Sequence, residues 1–329
     1  MRIAIFTDET GWHTRQLQAA LRARGAVGRC IDLADCHIDT TVARHGLVIP
    51  GFGRGLPDAA LVRGIAAGSF EQVTKRLGVL HALRELGVVV YNDARAIERS
   101  VDKSMTSLLL HAAGVATPPT WATESTAQAQ RIVMRESAAG HALVLKPLFG
   151  SQGKGLQLLG NVGAAGGGVA PPSQAHVPLP DIARDYRGLA YLQRFVPPLS
   201  NPGFDWRVLV IGGRAVAAMR RVSRHWVHNV AQGARCVAAP LTPALAGTAE
   251  RAAAALGMDY AGVDLMPGDA AGAESGVAAA PLVIEVNGVA AWRGLQRVTP
   301  FNIAQAIVAD LFERRLACLP QRDSAANDR

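Results

Sequence analysis

The stretch from Leu282 to Gly288 constrains the fold most, because it combines an apolar strand pattern with two polar side chains. It reads Leu-Val-Ile-Glu-Val-Asn-Gly, which places Glu285 and Asn287 two positions apart. Side chains two apart on a strand point to the same face. A second strand-like run, Tyr260 to Met266, contains one carboxylate, Asp264. The two runs therefore predict adjacent strands that present three oxygen-bearing side chains together.

Three oxygen ligands of this kind suit Mg²⁺, which proteins usually hold with one or two carboxylates together with substrate phosphates. A Glu-x-Asn pair also occurs where the polar end of a strand faces solvent. The stretch alone does not separate these two interpretations, so the rest of the chain has to decide between them.

The composition indicates a folded protein of more than one domain with an anionic partner. The chain has 329 residues, of which 49% are hydrophobic and only 18% charged, and this excludes a disordered protein. Its net charge of +8 favours partners such as nucleotides or acidic metabolites. Nucleic acid is disfavoured, because the basic residues are dispersed and aromatic residues make up only 5% of the chain.

The four cysteines and the N-terminus both indicate a cytoplasmic protein. Cys30, Cys36, Cys236 and Cys318 form no C-x-x-C pair, so we expect free thiols in a reducing cytosol. The segment Met1–Phe6 has the pattern of a strand and is too short for a signal peptide. No apolar run reaches the length of a membrane span, and we expect no membrane partner.

The first hundred residues alternate between strand and helix patterns, which predicts a parallel α/β sheet. The predicted strands cover residues 2–6, 27–33, 46–50 and 88–91, and the predicted helices cover residues 14–24 and 70–86. Later helices are predicted over residues 93–113 (interrupted near Ser100), 126–140, 242–256 and 303–316. Later strands are predicted over residues 142–147, 156–159, 189–196, 206–211, 215–221, 260–266 and 282–288. The stretches 160–180 and 267–280 are rich in Gly and Ala and predict loops, and the tail 319–329 is expected to be disordered.

A glycine-rich turn joins two of these strands and has two interpretations. It reads Gly150-Ser151-Gln152-Gly153-Lys154-Gly155. Glycines let a backbone approach a phosphate, and Lys154 and the backbone N–H groups would supply positive charge. The loop is neither a Walker A sequence nor a Rossmann fingerprint, because no Lys-Ser/Thr pair ends it and a strand follows it. An ordinary hairpin turn remains the alternative.

Several charged residues lie on predicted strands or at a helix start. Lys146 ends an apolar strand and needs a partner such as a phosphate, unless it snorkels from an edge strand. Lys103 follows Asp102, a candidate helix cap. The remaining candidates are Asp205, Arg207, Arg220 and Arg221, which fit either an arginine clamp on an anion or a surface ion-pair ladder. His225 and His228 have no Cys or Glu at a matching spacing, which disfavours a metal site there.

The order of these pieces resembles the ATP-grasp superfamily, and most closely its RimK-type α-L-glutamate ligases. The sequence runs from Lys103 through the Lys146-Pro147 strand and the glycine-rich turn to Gln193-Arg194-Phe195-Val196. It continues with Asp205-x-Arg207, Arg220-Arg221, Asn229, Gly262-Val263-Asp264 and Glu285-Val286-Asn287-Gly288. The resemblance implies an α/β (α+β ATP-grasp) fold with an N-terminal parallel α/β domain (1–95) and a two-part ATP-grasp module (96–190 and 191–318).

The resemblance also implies a role for each matching residue. Lys103 and Lys146 would hold the α- and β-phosphates of ATP beneath a lid formed by Gly150, Ser151, Gln152, Gly153, Lys154 and Gly155. The backbone of Gln193, Arg194, Phe195 and Val196 would read adenine, and Asp205 would lie near the ribose. Asp264, Glu285 and Asn287 would hold two Mg²⁺ ions, with Mn²⁺ as an alternative. Arg220 and Asn229 would face the γ-phosphate and the acyl-phosphate, and Arg207 and Arg221 are further candidates.

Three positions depart from the family pattern. Arg194 replaces an acidic hinge residue, and Val227 stands where the family has an arginine. The loop Gly288–Gly294 differs from the usual Ala-Ser-Pro-Gly that follows the last metal ligand. This loop lies near the acceptor site in the family, so the identity of the acceptor is the least constrained property.

The implied activity is an ATP-dependent carboxylate–amine ligase that acts through an acyl-phosphate. We expect the partners to be ATP, an amino acid such as L-glutamate, and a small-molecule carboxylate acceptor such as a pterin coenzyme. Glutamylation of a protein tail, a D-alanine–D-alanine-type peptide ligase and a non-catalytic ATP-binding regulator are the alternatives. The oligomeric state is left open between a monomer and a homo-oligomer such as a dimer or tetramer.

Overall fold

The structure is a computed structural model that describes residues 1–42, 45–150, 152–160, 177–268 and 280–318. Three sequence-based predictions therefore concern residues outside the described part. They are the role of Ser151, most of the two Gly/Ala-rich loops, and the disorder of the tail 319–329. Among the described residues, no helix is both long and apolar enough to cross a membrane.

The strands are β1 Arg2–Phe6, β2 Val27–Ile31, β3 His37–Ile38, β4 Leu47–Val48, β5 Ala59–Val62, β6 Val89–Tyr91, β7 Thr120–Thr123, β8 Leu143–Lys146, β9 Gln157–Leu159, β10 Ala190–Arg194, β11 Gly203–Ile211, β12 Arg214–Ser223, β13 Arg235–Ala239, β14 Tyr260–Met266 and β15 Leu282–Asn287. The α-helices are α1 Trp12–Ala23, α2 Phe70–Glu85, α3 Ala94–Val101, α4 Lys103–Ala112, α5 Thr126–Ala138, α6 Ile182–Asp185, α7 Pro243–Leu256, α8 Arg293–Gln296 and α9 Ile303–Asp310. A π-helical turn, Leu311–Leu316, follows α9.

The N-terminal region contains the predicted parallel sheet, with strand order β2-β1-β5-β6. The central strand β1 is buried from Ile3 to Phe6, and β5 is buried along its whole length. Strands buried on both faces are typical of parallel sheets with helices on both sides. The predicted α/β character of this region is confirmed.

The third strand of this sheet is not the one that the sequence predicted. Residues 46–50 contribute only β4, which pairs with β3 in a separate two-residue ladder. Pro50 has no N–H group to extend such a ladder. The place beside β1 belongs to β5, whose sequence Ala-Ala-Leu-Val is a short apolar run that periodicity cannot assign to helix or strand.

The chain forms two compact units, and the boundary between residues 95 and 96 is also a predicted domain boundary. One unit comprises residues 1–95, 289–296 and 300–329, and the other comprises residues 96–288 and 297–299. The apolar helix α9 packs against α1, so part of the C-terminal segment belongs with the N-terminal sheet. Within the same unit, the Tyr91 hydroxyl donates a hydrogen bond of 2.6 Å to Asp310. The division at residues 190 and 191 stays a prediction.

The second unit contains two antiparallel sheets. The order of one sheet is β7-β10-β8-β9, and its core side packs on α5. The order of the other sheet is β13-β12-β11-β14-β15. Alternate residues of this second sheet, such as Val208, Val263 and Val286, are fully buried against α7. The opposite face of the second sheet carries the charged residues Asp205, Arg207, Arg221, Asp264 and Glu285.

A β-bulge shifts the register of the β11–β12 hairpin by one residue. Next to the turn, Ile211 pairs with Arg214 and Val210 with Ala215. Beyond the bulge, Leu209 pairs with Ala217, and Val216 is the extra residue on β12. Such a bulge moves every later side chain of the longer strand to the other face. Asp205 consequently pairs with Arg221 and not with Arg220.

Candidate active site

Lys103 is presented by the first turn of α4. The Asp102 carboxylate caps this helix by accepting hydrogen bonds from the backbone N–H groups of Ser104 (2.8 Å) and Met105 (3.1 Å). The Lys103 ammonium donates to the carbonyl oxygens of Leu148 (3.3 Å) and Gly150 (2.9 Å). Burial lowers the pKa of Lys103, although Glu285 and Asp102 oppose this shift.

Lys146 lies at the end of β8 beside β10. Leu143 and Leu145 point into the core, so Lys146 emerges on the opposite face. Its ammonium donates a hydrogen bond of 2.6 Å to the side-chain oxygen of the buried Gln193. Burial lowers the pKa of Lys146 to about 8; Glu285 opposes the shift and Lys103 adds to it. We call Lys103 and Lys146 the lysine pair, and its members donate only to neutral oxygens among the contacts of the described residues.

Two arginines and two aspartates form a compact charged group on the polar face of the second sheet. Arg207 lies opposite Asp264 and binds it through two nitrogens, the Nη2 contact being 2.8 Å. Arg221 lies opposite Asp205 and binds it at 2.8 and 2.5 Å. Arg221 also reaches Asp264 at 3.0 Å. We call these four residues the Arg–Asp cluster; its formal charges cancel.

Burial and ion pairing compete within the Arg–Asp cluster. Burial raises the pKa of Asp205 to about 6, against the opposing effect of Arg221. Burial would also raise the pKa of Asp264, but Arg207 and Arg221 together hold it below its usual value. Despite burial, the two aspartates raise the pKa of Arg221. Arg221 therefore stays charged, and its geometry is fixed by bidentate contacts.

Glu285 and Asn287 extend this polar face onto β15. Glu285 lies directly opposite Asp264, and Asn287 lies opposite Gly262. The Asn287 amide nitrogen donates to the Gly262 carbonyl at 3.2 Å, which leaves the amide oxygen for another partner. Two carboxylates and an amide oxygen form a set of hard ligands that fits Mg²⁺. The residues present are therefore compatible with the metal that the sequence predicted.

The glycine-rich turn packs closely on the segment 226–229. Gly153 and Gly155 have positive φ angles of 70° and 72°. A Cβ atom on Gly153 would lie 2.7 Å from both Val227 Cγ1 and Asn229 Oδ1, so only glycine fits. Tyr186 anchors the turn by donating a hydrogen bond of 2.8 Å to the Gly155 carbonyl.

The hinge segment at the end of β10 presents backbone and aromatic groups. The Arg194 side chain donates to the buried Glu136 at 3.1 and 2.8 Å, so it is bound on the side of α5. The next residue, Phe195, meets the Trp226 ring edge to face, with 5.9 Å between the centroids. The replacement of an acidic residue by Arg194 is thus accommodated by an acidic partner on another element.

These groups surround one cleft in the second unit. Its lining includes Lys103, Lys146, Gly150, Gln152, Gly153, Lys154, Gln193, Arg194, Phe195, Val196, Asp205, Arg221, Trp226, Val227, His228, Asn229, Asp264 and Glu285. The cleft therefore combines lysines, hard oxygen ligands, a glycine-rich turn and an aromatic pair. Such a combination can hold an anion with a divalent cation and a flat ring.

Comparison with known families agrees with this site. A family model of the RimK-like ATP-grasp domain matches residues 100–311, and one of the RimK pre-ATP-grasp domain matches residues 1–97.

The chain belongs to the RimK-like ATP-grasp family.

Members of this family are ATP-grasp ligases, and the predicted carboxylate–amine ligase class is confirmed. The RimK-like protein is 31% identical to the tetrahydromethanopterin:alpha-L-glutamate ligase of Methanosarcina acetivorans, over 92% of this chain and 95% of that protein. It is 29% identical to a probable alpha-L-glutamate ligase of Hydrogenovibrio crunogenus, over 94% of each chain. The predicted family is therefore confirmed.

Solved structures confirm the fold. The ATP-grasp ligase PsnB, in complex with a minimal precursor, Mg and ADP, has a TM-score of 0.63 and 20% identity, covering 94% of this chain and 97% of that one. A RimK domain ATP-grasp protein from Sphaerobacter thermophilus also has a TM-score of 0.63 and 20% identity, covering 93% and 98%. The predicted ATP-grasp fold is thus shared with both.

Four residues that the sequence placed in the site of the RimK-like protein do not line the described cleft. They are Gly155, Arg207, Arg220 and Asn287. Arg207 instead holds Asp264, and Asn287 lies on the same face two residues beyond Glu285. Arg220 is exposed on the other side of β12, with its guanidinium 5.3 Å from the Phe204 ring centroid. Arg221 occupies the cleft in its place, because the bulge at Val216 reverses the facing of the strand end.

Trp226 and His228 also line the cleft, although neither was predicted as a site residue from the sequence. They lie in an irregular segment with no metal-binding or catalytic motif. The alternation of Trp226 and His228 with Val227 and Asn229 was the available signal, because extended residues two apart share a side. Asn229, which the sequence did single out, faces the glycine-rich turn.

The loop 288–294, which resemblance placed near the acceptor, belongs mostly to the N-terminal unit. Its Trp292 is buried against His13, with 4.7 Å between the ring centroids. His13 Nε2 accepts hydrogen bonds from the backbone N–H groups of Trp292 (3.1 Å) and Arg293 (3.2 Å). Burial and Arg63 lower the pKa of His13 to about 4, so the ring stays a neutral acceptor. The loop is thereby fixed, and its role toward an acceptor stays a prediction.

Proposed function

We propose that the cleft binds ATP with Mg²⁺ and that the protein joins L-glutamate to a carboxylate of a small-molecule coenzyme. One observation carries this proposal. The lysine pair, bound only to neutral oxygens among its described contacts, shares a cleft with Asp264 and Glu285. Lysines that donate to no carboxylate keep their positive charge available for phosphates. The facing carboxylates of Asp264 and Glu285 suit the metal cation that accompanies a nucleotide.

The roles of the residues follow from their positions. Lys103 and Lys146 would neutralise phosphate oxygens, and the glycine-rich turn would cover them with backbone N–H groups. The hinge from Gln193 to Val196 would receive the adenine base. Asp264, Glu285 and Asn287 would hold Mg²⁺, in our proposal two ions, which would shield the charge that builds up between the β- and γ-phosphates.

The chemistry requires positioning more than a protein nucleophile. A carboxylate oxygen of the acceptor attacks the γ-phosphorus, and the bond to the β–γ bridging oxygen breaks to release ADP. The glutamate amine then attacks the acyl carbon, and inorganic phosphate leaves as the amide forms. Asn229 lines the cleft and would stabilise the negative charge of these steps, whereas Arg221 would hold Asp205 and Asp264 in place.

The small-molecule acceptor and a cytoplasmic location are the finer parts of the proposal. The relative that is named for tetrahydromethanopterin matches nearly the whole chain at 31% identity, which supports an acceptor of the pterin class. A protein tail is the competing acceptor and makes a different product. The acceptor therefore has to be identified from the product itself.

The test is to incubate the protein with ATP, Mg²⁺, isotope-labelled L-glutamate and a cell metabolite extract, and to analyse the products by mass spectrometry. We expect ADP release together with a labelled small molecule. The Glu285→Gln variant is the control, and it should release ADP about 10³-fold more slowly because a metal carboxylate is lost. If label enters only protein, the acceptor proposal fails. If no amino acid yields an ADP-coupled product, the ligase proposal fails.

A further inference from the structure

The segment Trp226–Asn229 alternates between two parts of the cleft. Val227 and Asn229 face the glycine-rich turn, since both lie 2.7 Å from the place of a Cβ atom on Gly153. Trp226 faces the other way and touches the hinge residue Phe195. His228 also faces away from the turn, with its Nε2 atom 3.1 Å from the place of a Cβ atom on Gly203. His228 therefore lies on the hinge side of the cleft, next to the start of β11.

His228 combines burial with an unused hydrogen-bonding atom. Its side chain is only 4% exposed, and Nε2 has no hydrogen-bond partner among the described residues. Leaving a buried polar atom without a partner is unfavourable. Burial lowers the pKa of His228 to about 4, and Arg221 adds to this shift. The ring is therefore neutral at physiological pH and suits an uncharged polar group better than a phosphate.

The position along the cleft indicates which ligand group would meet this atom. The hinge takes the base and the lysine pair takes the phosphates in the proposed nucleotide complex, so the sugar spans the region between them. Asp205, which the resemblance placed near the ribose, has both carboxylate oxygens engaged by Arg221 at 2.8 and 2.5 Å. The neighbouring polar atom that is still unused is Nε2 of His228.

We propose that His228 Nε2 forms a hydrogen bond with a ribose hydroxyl of the bound nucleotide and thereby selects ribonucleotides over deoxynucleotides. This inference rests on the proposed function, because it requires a nucleotide in the cleft. A neutral hydrogen bond contributes about 0.5–1.5 kcal/mol, which corresponds to a preference of about 2- to 13-fold. The residue acts on binding and leaves the phosphoryl transfer step to other groups.

The test compares the binding of ATP, 2′-deoxy-ATP and 3′-deoxy-ATP by calorimetry in the presence of Mg²⁺. We expect the wild-type protein to bind one deoxy analogue about 2- to 13-fold more weakly than ATP. His228→Phe should abolish this preference by weakening ATP binding while leaving the affinity for that analogue unchanged. The matched control is His225→Phe, an exposed histidine of the same segment, which should retain the wild-type preference.

Two further variants keep the inference testable if His228→Phe does not fold. His228→Leu is a second apolar replacement, to be used if the thermal unfolding midpoint of His228→Phe falls below the assay temperature. His228→Gln keeps a hydrogen-bonding group and should retain part of the preference. If both apolar variants keep the full wild-type preference, or if the wild type shows none, the inference is wrong while ATP binding still supports the proposed function. If the wild type binds no nucleotide, the proposed function itself fails.

Discussion

Asp205, Arg221 and Asp264 of the Arg–Asp cluster line the same cleft as the lysine pair, but the charges of the two groups are balanced in opposite ways. In the cluster, Arg207 and Arg221 are bound to two aspartates through bidentate or bridging contacts. The lysine pair instead donates to two carbonyl oxygens and one amide oxygen. The cluster neutralises itself and acts as a rigid frame, whereas the lysine pair keeps positive charge for a ligand. Buried charges in one cleft can therefore fix the protein structure in one place and bind a ligand in another.

The largest effect is expected when the adjacent residues Arg221 and Arg220 are each replaced by alanine. Arg221→Ala should lower the free energy of unfolding by about 3–5 kcal/mol, because the buried Asp205 then loses its partner. Arg220→Ala should cost about 0.5–1 kcal/mol, since it removes only an exposed contact with the Phe204 ring. Urea denaturation measures both values, and ADP formation should fall sharply only in Arg221→Ala. Equal losses in the two variants would contradict the assigned facing of β12.

The lysine pair is tested next, through Lys146. Lys146→Ala should weaken ATP binding by about 10- to 150-fold, which corresponds to loss of a charged hydrogen bond of about 1.5–3 kcal/mol. Because its pKa is about 8, wild-type Lys146 loses its proton as the pH rises above that value, and ATP binding should weaken there. Lys146→Arg stays protonated, so its ATP binding should weaken less than that of the wild type as the pH rises through about 8.

The same pKa shift also predicts the direction of a stability change. An unfolded lysine titrates near pH 10.4, so between about pH 8 and 10.4 the unfolded chain binds more protons than the folded one. The contribution of Lys146 to stability should therefore rise with pH across this window. Urea denaturation of the wild type and Lys146→Met at pH 7.5 and 9.5 measures the difference. A contribution that falls with pH would show that burial does not control Lys146.

The smallest effect is expected from a variant that gives one member of the lysine pair a carboxylate partner, as the arginines of the cluster have. Gln193→Glu replaces the neutral oxygen that accepts from Lys146 by a carboxylate. The new ion pair should raise the pKa of Lys146, because an adjacent carboxylate favours the charged ammonium, and it should weaken ATP binding by about tenfold. Calorimetric titration of Gln193→Glu and of the isosteric wild type measures the loss. Unchanged affinity would mean that the spare charge of Lys146 does not attract the nucleotide.

The sequence predicted those site residues whose local context determines their direction. Lys103 follows a capping aspartate, and Lys146 ends an apolar strand, so both could be singled out before the fold was known; both line the cleft, and their phosphate role stays a prediction. Glu285 and Asn287 share a face by the simple parity of a strand. The position of Glu285 opposite Asp264 then depended only on the pairing of neighbouring strands.

The features that the sequence could not predict depend on how strands pair in the folded protein. A hairpin with the turn Gly212-Gly213 and unbroken pairing places Arg220 opposite Asp205, and only the bulge replaces it by Arg221. Strand β5 was missed because its four apolar residues have no periodicity, and its place in the sheet is set by β1 and β6. His228 could not be assigned either, because its burial comes from elements distant in the chain.

The extra residue Val216 has a consequence for how relatives of this protein are compared. In an alignment without gaps, a relative that lacks the bulge would match its inward-facing arginine to Arg220 of this chain. The alignment would then compare a residue on one face of the sheet with a residue on the other face. A site arginine that is present in both proteins could be mistaken for one that this chain has lost. A correct correspondence requires a one-residue gap within β12, placed before Arg220 and after the turn.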